Sequence, residues 1–150
     1  MDAERIRAFL LTLPHAVDTM QWGANLVFWV GDKAIGGKMF ALLNLDADGN
    51  AAISYSAGPE RYSELLETEG IVPAPYMARI YWVAIERWNV FRTHEWEQEL
   101  RAAHTLTFNK LPPGVRAALA LPAMQQKRLI AERRKLLAAK AAAKSANKVR

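Results

Sequence analysis

The residues best suited to chemistry lie in one proline-rich segment, residues 70–85, which reads "GIVPAPYMARIYWVAI". Tyr76, Arg79 and Trp82 follow its two prolines at short intervals. Proline fixes φ and removes an N–H donor, so we expect an extended, stiff loop that loses little entropy on binding. A guanidinium can fork onto a phosphate, and aromatic rings can stack on bases. The segment therefore predicts contact with a nucleic acid or with an anionic small molecule.

Two residues elsewhere complete this predicted binding neighbourhood. Trp22 stands just before a predicted strand, and Lys38 opens the next predicted strand. Alternation along a strand predicted at residues 79–86 turns Trp82 toward the sheet face opposite the helices, where it would be an exposed contact residue. An alternative stays open, in which Tyr76 and Trp82 only cover an exposed sheet face and stabilise it.

The motifs of common catalytic and metal sites are incomplete in this chain. Residues 31–39, "GDKAIGGKM", resemble a phosphate-cradling loop, but Met39 replaces the required hydroxyl and a strand follows. Residues 46–50, "DADGN", begin like a calcium loop but lack its glycine and bidentate acid, and predict a turn. The three histidines have no metal-ligand spacing. The sequence thus predicts a protein that is not an enzyme, with no catalytic residue, cofactor or metal.

Charge divides the chain into two parts. Residues 122–150, the tail, hold nine basic residues and one acid, Glu132, a formal charge of +8, whereas residues 1–121, the body, carry −3. Such a tail favours polyanions independently of their sequence. The nucleic-acid contacts predicted within it are Lys127, Arg128, Arg133, Arg134, Lys135, Lys140 and Lys144.

Length and composition limit the class of protein. A chain of 150 residues with 51% hydrophobic and 23% charged residues is typical of one globular domain. It has no cysteine, which excludes disulfides and thiolate chemistry. No apolar run is long enough to span a membrane, and the N-terminus does not resemble a signal peptide. We expect a cytoplasmic location, and the oligomeric state stays open.

Hydrophobic periodicity predicts an α+β fold with the element order α-β-β-β-α-β-α. The strands, predicted at residues 25–30, 38–45, 51–56 and 79–86, are expected to form an antiparallel sheet that helices cover on one face. The last helix of the body carries an apolar stripe of Trp96, Leu100, Ala103 and Leu106. Residues 1–121 are expected to fold without residues 122–150, a basic tail that is helical or partly disordered.

Four stretches of the chain resemble the MmcQ/YjbR family of small bacterial proteins. They are "WGANLVFWVGDKAIGGKMFALLNL" (22–45), "GPERYSELLE" (58–67), "GIVPAPYMARIYWVAI" (70–85) and "LTFNKLPP" (106–113). The resemblance implies a frataxin-like α+β fold, also described as a double-wing arrangement, and members are often labelled DNA-binding. It supplies no catalytic residue. The connection "DKAIGG", the segment "WNVFRTHE" and the basic tail depart from the family pattern.

Two classes of function follow. The first is a non-enzymatic module that binds DNA weakly and with little sequence preference, through the tail and a patch on the proline loop and its strand. The second is a domain that binds another protein or an anionic small molecule, with the tail as a docking or solubilising helix. The negative charge of the body favours the tail as the main DNA contact in the first class.

Overall fold

The computed structural model describes residues 1–46 and 51–149 of the chain. Its helices are α1 (Ala3–Leu11), α2 (Pro59–Leu65), α3 (Thr93–Asn109), α4 (Pro113–Leu119) and α5 (Ala123–Val149). Its strands are β1 (Ala16–Gln21), β2 (Asn25–Val30), β3 (Lys38–Asn44), β4 (Ile53–Ser56), β5 (Ile71–Pro73) and β6 (Trp82–Ile85). The turn predicted at residues 46–50 lies, apart from Asp46, outside the described residues.

The strands form one antiparallel sheet in the order β1-β2-β3-β4-β6-β5, which confirms the predicted α+β class. The predicted element order lacks three elements of the structure: the two edge strands, β1 and β5, and the short helix α4. Strand β1, "AVDTMQ", is only half-buried and mixes polar with apolar residues, as suits an edge. Strand β5 has three residues and ends at Pro73, which an edge strand tolerates. Both edge strands therefore lack the apolar run that marks a central strand.

The main core lies between one face of the sheet and helices α1 and α3. Of the predicted stripe on α3, Trp96 and Leu100 are fully buried and Ala103 nearly so, whereas Leu106 is only half-buried. The indole N–H of Trp96 donates to the Trp88 carbonyl at 3.0 Å, and Phe91 meets the indole edge-on with 5.1 Å between ring centroids. Helix α3 itself lies across β2, β3 and β4. Trp96 is thus a central anchor between helix and sheet.

Trp82 is buried, and the prediction that it projects from an open sheet face is wrong. Val83 and Ile85 face the main core, whereas Trp82 and Ala84 face the opposite side, as alternation predicts. On that side the proline loop folds back over the sheet, and the Ala74 N–H donates to the Trp82 carbonyl at 3.1 Å. Trp82 is consequently only 3% exposed. Alternation identified the correct face but could not show that the preceding loop folds back and covers it.

The tail forms α5, a helix of 27 residues whose first turns pack on the body. Leu129 and Ile130 are partly buried against the main core. Near its start, Gln126 Nε2 donates to the carbonyls of Leu119 and Leu121, at 2.9 and 2.7 Å. These bonds fix the angle between α4 and α5. The limit of the independent folding unit at residue 121 stays a prediction.

The connection "DKAIGG" is the platform on which α5 docks. Residues Lys33–Ile35 form a 3-10 turn in contact with α5, and Asp32 Oδ1 accepts a hydrogen bond from the Ala34 N–H at 2.8 Å. The second carboxylate oxygen of Asp32 accepts from Arg134 of α5 at 2.6 Å. The lengthened connection and the tail, two of the departures from the family pattern, therefore pack against each other.

A buried histidine, His104, ties α3 to the turn between α1 and β1. Its Nε2 lies 2.7 Å from the Pro14 carbonyl oxygen, which can only accept, so this nitrogen carries the proton. The ring also meets Phe40 edge-on, with 5.3 Å between centroids. Burial lowers the pKa of His104; the hydrogen bond to Pro14 opposes this shift, and the charges of His15 and Arg101 add to it.

We expect the protein to lose stability as the pH falls below about 6.5, the usual pKa of histidine. The pKa of His104 is lower in the folded chain than in the unfolded chain, so in this window the unfolded chain binds more protons, and the free energy of unfolding falls with pH by at most about 1.4 kcal/mol per pH unit. Urea denaturation between about pH 5 and 7.5 measures this slope. His104→Gln should flatten it, and His94→Gln, which removes an exposed histidine, should not. An unchanged slope in His104→Gln would assign the effect to other groups.

Candidate functional site

A groove of about 530 Å³ lies on the sheet face opposite the main core. Leu42 of β3 and Ser54 of β4 are direct partners in the antiparallel register and form its floor. Ala74 and Met77 of the proline loop form one wall. None of the described residues that line the groove carries a charge. Its volume falls within the range of about 300–1,000 Å³ that is typical of small-molecule sites.

Two asparagines lie side by side at one end of this groove. Asn25 begins β2, Asn44 ends β3, and the two are direct partners in the register. Asn25 Nδ2 donates to the Trp22 carbonyl at 2.8 Å, and Asn44 Oδ1 accepts from the Asp46 N–H at 2.9 Å. Each bond orients an amide while using one end of it. The acceptor oxygen of Asn25 and the donor nitrogen of Asn44 are not used in these bonds.

Two exposed aromatic residues border the groove from separate loops. Trp22, between β1 and β2, is 60% exposed, and Tyr76, in the proline loop, is 100% exposed. Both residues have left-handed backbone angles, with φ of 49° and 65°. Such a conformation costs a non-glycine residue about 1–3 kcal/mol and occurs often at functional sites. Two exposed rings in strained loop positions favour a binding role for this rim over a purely structural one.

Arg79 lies outside the groove but next to Tyr76. Residues Ala78–Ile80 form a 3-10 turn that ends at Tyr81, so Arg79 does not belong to strand β6 as predicted. The side chain of Arg79 is exposed and shares an open surface depression of about 420 Å³ with Tyr76. Tyr76 therefore borders both the uncharged groove and the cation.

Lys38 is separated from the other residues of the predicted neighbourhood. It begins β3, whereas the groove's asparagines lie at the other end of the strand, about 20 Å away at the usual rise per residue. Lys38 also pairs with Val30, whose side chain belongs to the main core, so it lies on the helix-covered side of the sheet. The structure thus brings together Trp22, Tyr76 and Arg79, buries Trp82 beneath the loop, and excludes Lys38.

The docked turns of α5 lie at the end of β3 opposite the asparagines of the groove. The helix docks on the Lys33–Ile35 turn, next to the first residue of β3. All seven residues predicted as nucleic-acid contacts are exposed, although Arg134 is engaged by Asp32. Lys140, Lys144 and Lys148 recur every four residues and so share one side of the helix. In the described part of the chain no helix is long and apolar enough to cross a membrane.

The sequence patterns did not indicate the polar residues of the groove, Asn25, Asn44 and Ser54. One signal could have revealed the asparagines, because the first residue of one strand and the last of the next face each other in an antiparallel pair. No local signal could have placed Met77 and Ala74 beside them, since that contact depends on how the loop folds back.

Comparison with known proteins supports this architecture. The model of the YjbR family matches residues 11–106. The crystal structure of Deinococcus radiodurans protein DR2400, which carries the domain DUF419, is similar at 25% sequence identity and a TM-score of 0.69, covering 81% of this chain and 89% of that one. No curated protein matches the chain. The family match spans more than half of the sequence and agrees with the fold, so the chain belongs to the YjbR family.

Proposed function

We propose that the protein is a non-enzymatic, cytoplasmic module that binds DNA weakly and with little sequence preference, mainly through α5. The observation that carries the proposal is the exposed basic surface of this helix. Arg133, Lys135 and the stripe of Lys140, Lys144 and Lys148 are all exposed, and the helix contains one acid, Glu132. Binding of a polyanion to such a surface is favoured mainly by the release of the counterions of the polyanion.

The contacts between α5 and the body support a role for the exposed part of this helix in binding DNA through its basic side chains. Gln126 and Arg134 anchor its first turns to the body, whereas every described side chain beyond Arg134 is exposed. At 1.5 Å per residue this projecting part is about 20 Å long, and its alanines leave it narrow. A helix of this kind fits the major groove of duplex DNA, which is about 12 Å wide. The body carries −3 and adds no attraction of its own.

We expect full-length protein to bind a fluorescent DNA duplex with a slope of log affinity against log salt of roughly 3–6 in magnitude. Each phosphate contact contributes about 0.9, and the basic groups will not all engage at once. Truncation after Leu137 should remove a large part of this slope while leaving the docked turns of α5 in place. Failure of the full-length protein to bind even at low salt would exclude the proposal.

A charge-matched pair of variants separates the helix from net charge. Lys140→Gln/Lys144→Gln should lower the slope by up to about 1.8, because each phosphate that a lysine neutralises contributes about 0.9. Arg5→Gln/Lys110→Gln removes the same charge from exposed positions outside α5 and should change the slope little. Equal effects of the two pairs of substitutions would mean that the affinity for DNA depends only on the net charge of the protein. Binding that survives truncation intact would move the contact to the body, where Arg79→Ala tests it.

A further inference from the structure

We propose that the groove between Trp22 and Tyr76 binds an uncharged nucleobase, presented by a free nucleoside. This goes beyond DNA binding by α5, because it assigns a second ligand to a second site. The two aromatic rings border a groove of about 530 Å³ whose described lining contains no charged side chain. A flat, neutral heteroaromatic ring suits a groove of this size and polarity.

The rim supplies surfaces on which a base can stack. Tyr76 is fully exposed, and Trp22 approaches the same groove from the turn between β1 and β2. Stacking on an aromatic side chain accepts every base, since each has a π face. Leu42 and Met77 provide apolar surface inside the groove that these two aromatic residues border.

The two asparagines at one end of the groove supply hydrogen-bonding groups for the edge of the base. Asn25 and Asn44 face each other across β2 and β3, and their existing bonds to Trp22 and Asp46 orient both amides. An acceptor on one amide and a donor on the other match the mixed donor and acceptor pattern of a base edge. Hydrogen bonds and stacking together distinguish a base from a plain hydrocarbon.

The position of the groove argues for a free nucleoside over a strand of nucleic acid. The basic surface of α5 begins at the opposite end of β3 and docks on the turn that precedes this strand. A polymer seated in the groove would therefore lay its phosphates over the acidic body, where Arg79 beside Tyr76 is the cation next to the described groove lining.

Isothermal titration with adenosine, guanosine, cytidine and thymidine tests the proposal on the full chain. We expect saturable binding of at least one nucleoside, with shifts of the Asn25 and Asn44 side-chain amide signals in NMR spectra. Tyr76→Ala should weaken binding by about 5- to 150-fold, the range found for loss of one stacking ring. The control is Tyr81→Ala, which removes another exposed tyrosine with left-handed φ, 64°, outside the groove.

The outcomes are distinct from those of the DNA experiment. Truncation after Leu137 should leave nucleoside affinity unchanged, so either proposal can fail alone. Absence of binding by all four nucleosides, or an equal decrease in affinity in the Tyr76 and Tyr81 variants, would overturn the inference. If adenosine 5′-monophosphate bound ten times more tightly than adenosine, and Arg79→Ala abolished this difference, an uncharged ligand would be refuted. Tighter binding of a single-stranded tetranucleotide by the truncated chain would refute a free nucleoside.

Discussion

Trp96→Ala should lower the free energy of unfolding by about 3–5 kcal/mol, the usual cost of truncating a core aromatic residue. The indole is fully buried, packs against Trp88 and Phe91, and donates its N–H to a backbone carbonyl. Its removal leaves a cavity that no neighbouring side chain can fill without rearrangement. It also leaves the Trp88 carbonyl without the indole donor. Urea denaturation at about pH 7.5 measures the decrease.

Trp82→Ala should cost a similar amount, about 3 kcal/mol or more, because its ring is also buried. The proline loop rests on it, so the variant should also loosen the groove wall at Ala74 and Met77. Trp22→Ala is the matched control, since this tryptophan is mostly exposed and its removal should change stability by no more than about 0.5 kcal/mol. A decrease below about 1 kcal/mol for Trp82→Ala would indicate that the ring is accessible and that the loop does not cover it.

Gly37→Ala should destabilise the protein by about 3 kcal/mol or more, a large value for a single added methyl group. A Cβ at this position would lie 1.8 Å from the carbonyl oxygen of Gly31, so the backbone must move. The turn between these glycines is the platform for α5, and we expect α5 to separate from Asp32 in the variant. Denaturation measures the stability, and the NMR signals of Arg134 report the docking.

Gly114→Ala is the control for this substitution. A Cβ there meets nothing within 4 Å, and the residue lies in the first turn of α4. Alanine is a better helix former than glycine by up to about 1 kcal/mol, so this variant should be neutral or slightly stabilising. If Gly37→Ala were as harmless as Gly114→Ala, the turn could relax and would not hold α5 rigidly.

Local sequence patterns predicted the parts of the fold that depend on neighbouring residues. The spacing of Trp96, Leu100 and Ala103 identified the buried face of α3, and alternation placed Val83 and Trp82 on opposite faces of the sheet. Composition alone located the positive charge in α5. These features depend on the period of a helix or strand and on charge, which the chain carries residue by residue.

The tertiary structure decided what those faces meet. Trp82 is buried because the loop at Ala74 folds back over it, and Asn25 meets Asn44 because β2 and β3 pair in one register. Contacts of this kind depend on how a loop folds back and on how strands pair, and no local period encodes them.

The same distinction applies to the predicted binding residues. The sequence alone determined that the chain has a proline loop rich in aromatic residues and a basic tail, because proline stiffness, aromatic character and charge are properties of the residues themselves. Only the tertiary structure put Trp22 and Tyr76 on one groove, placed that groove at the end of β3 away from Lys38, and docked α5 through Arg134 on Asp32. The predicted binding residues therefore lie on two separate surfaces. The physical reason is that strand pairing and helix docking set the distances between these residues, and local sequence patterns carry no information on such distances.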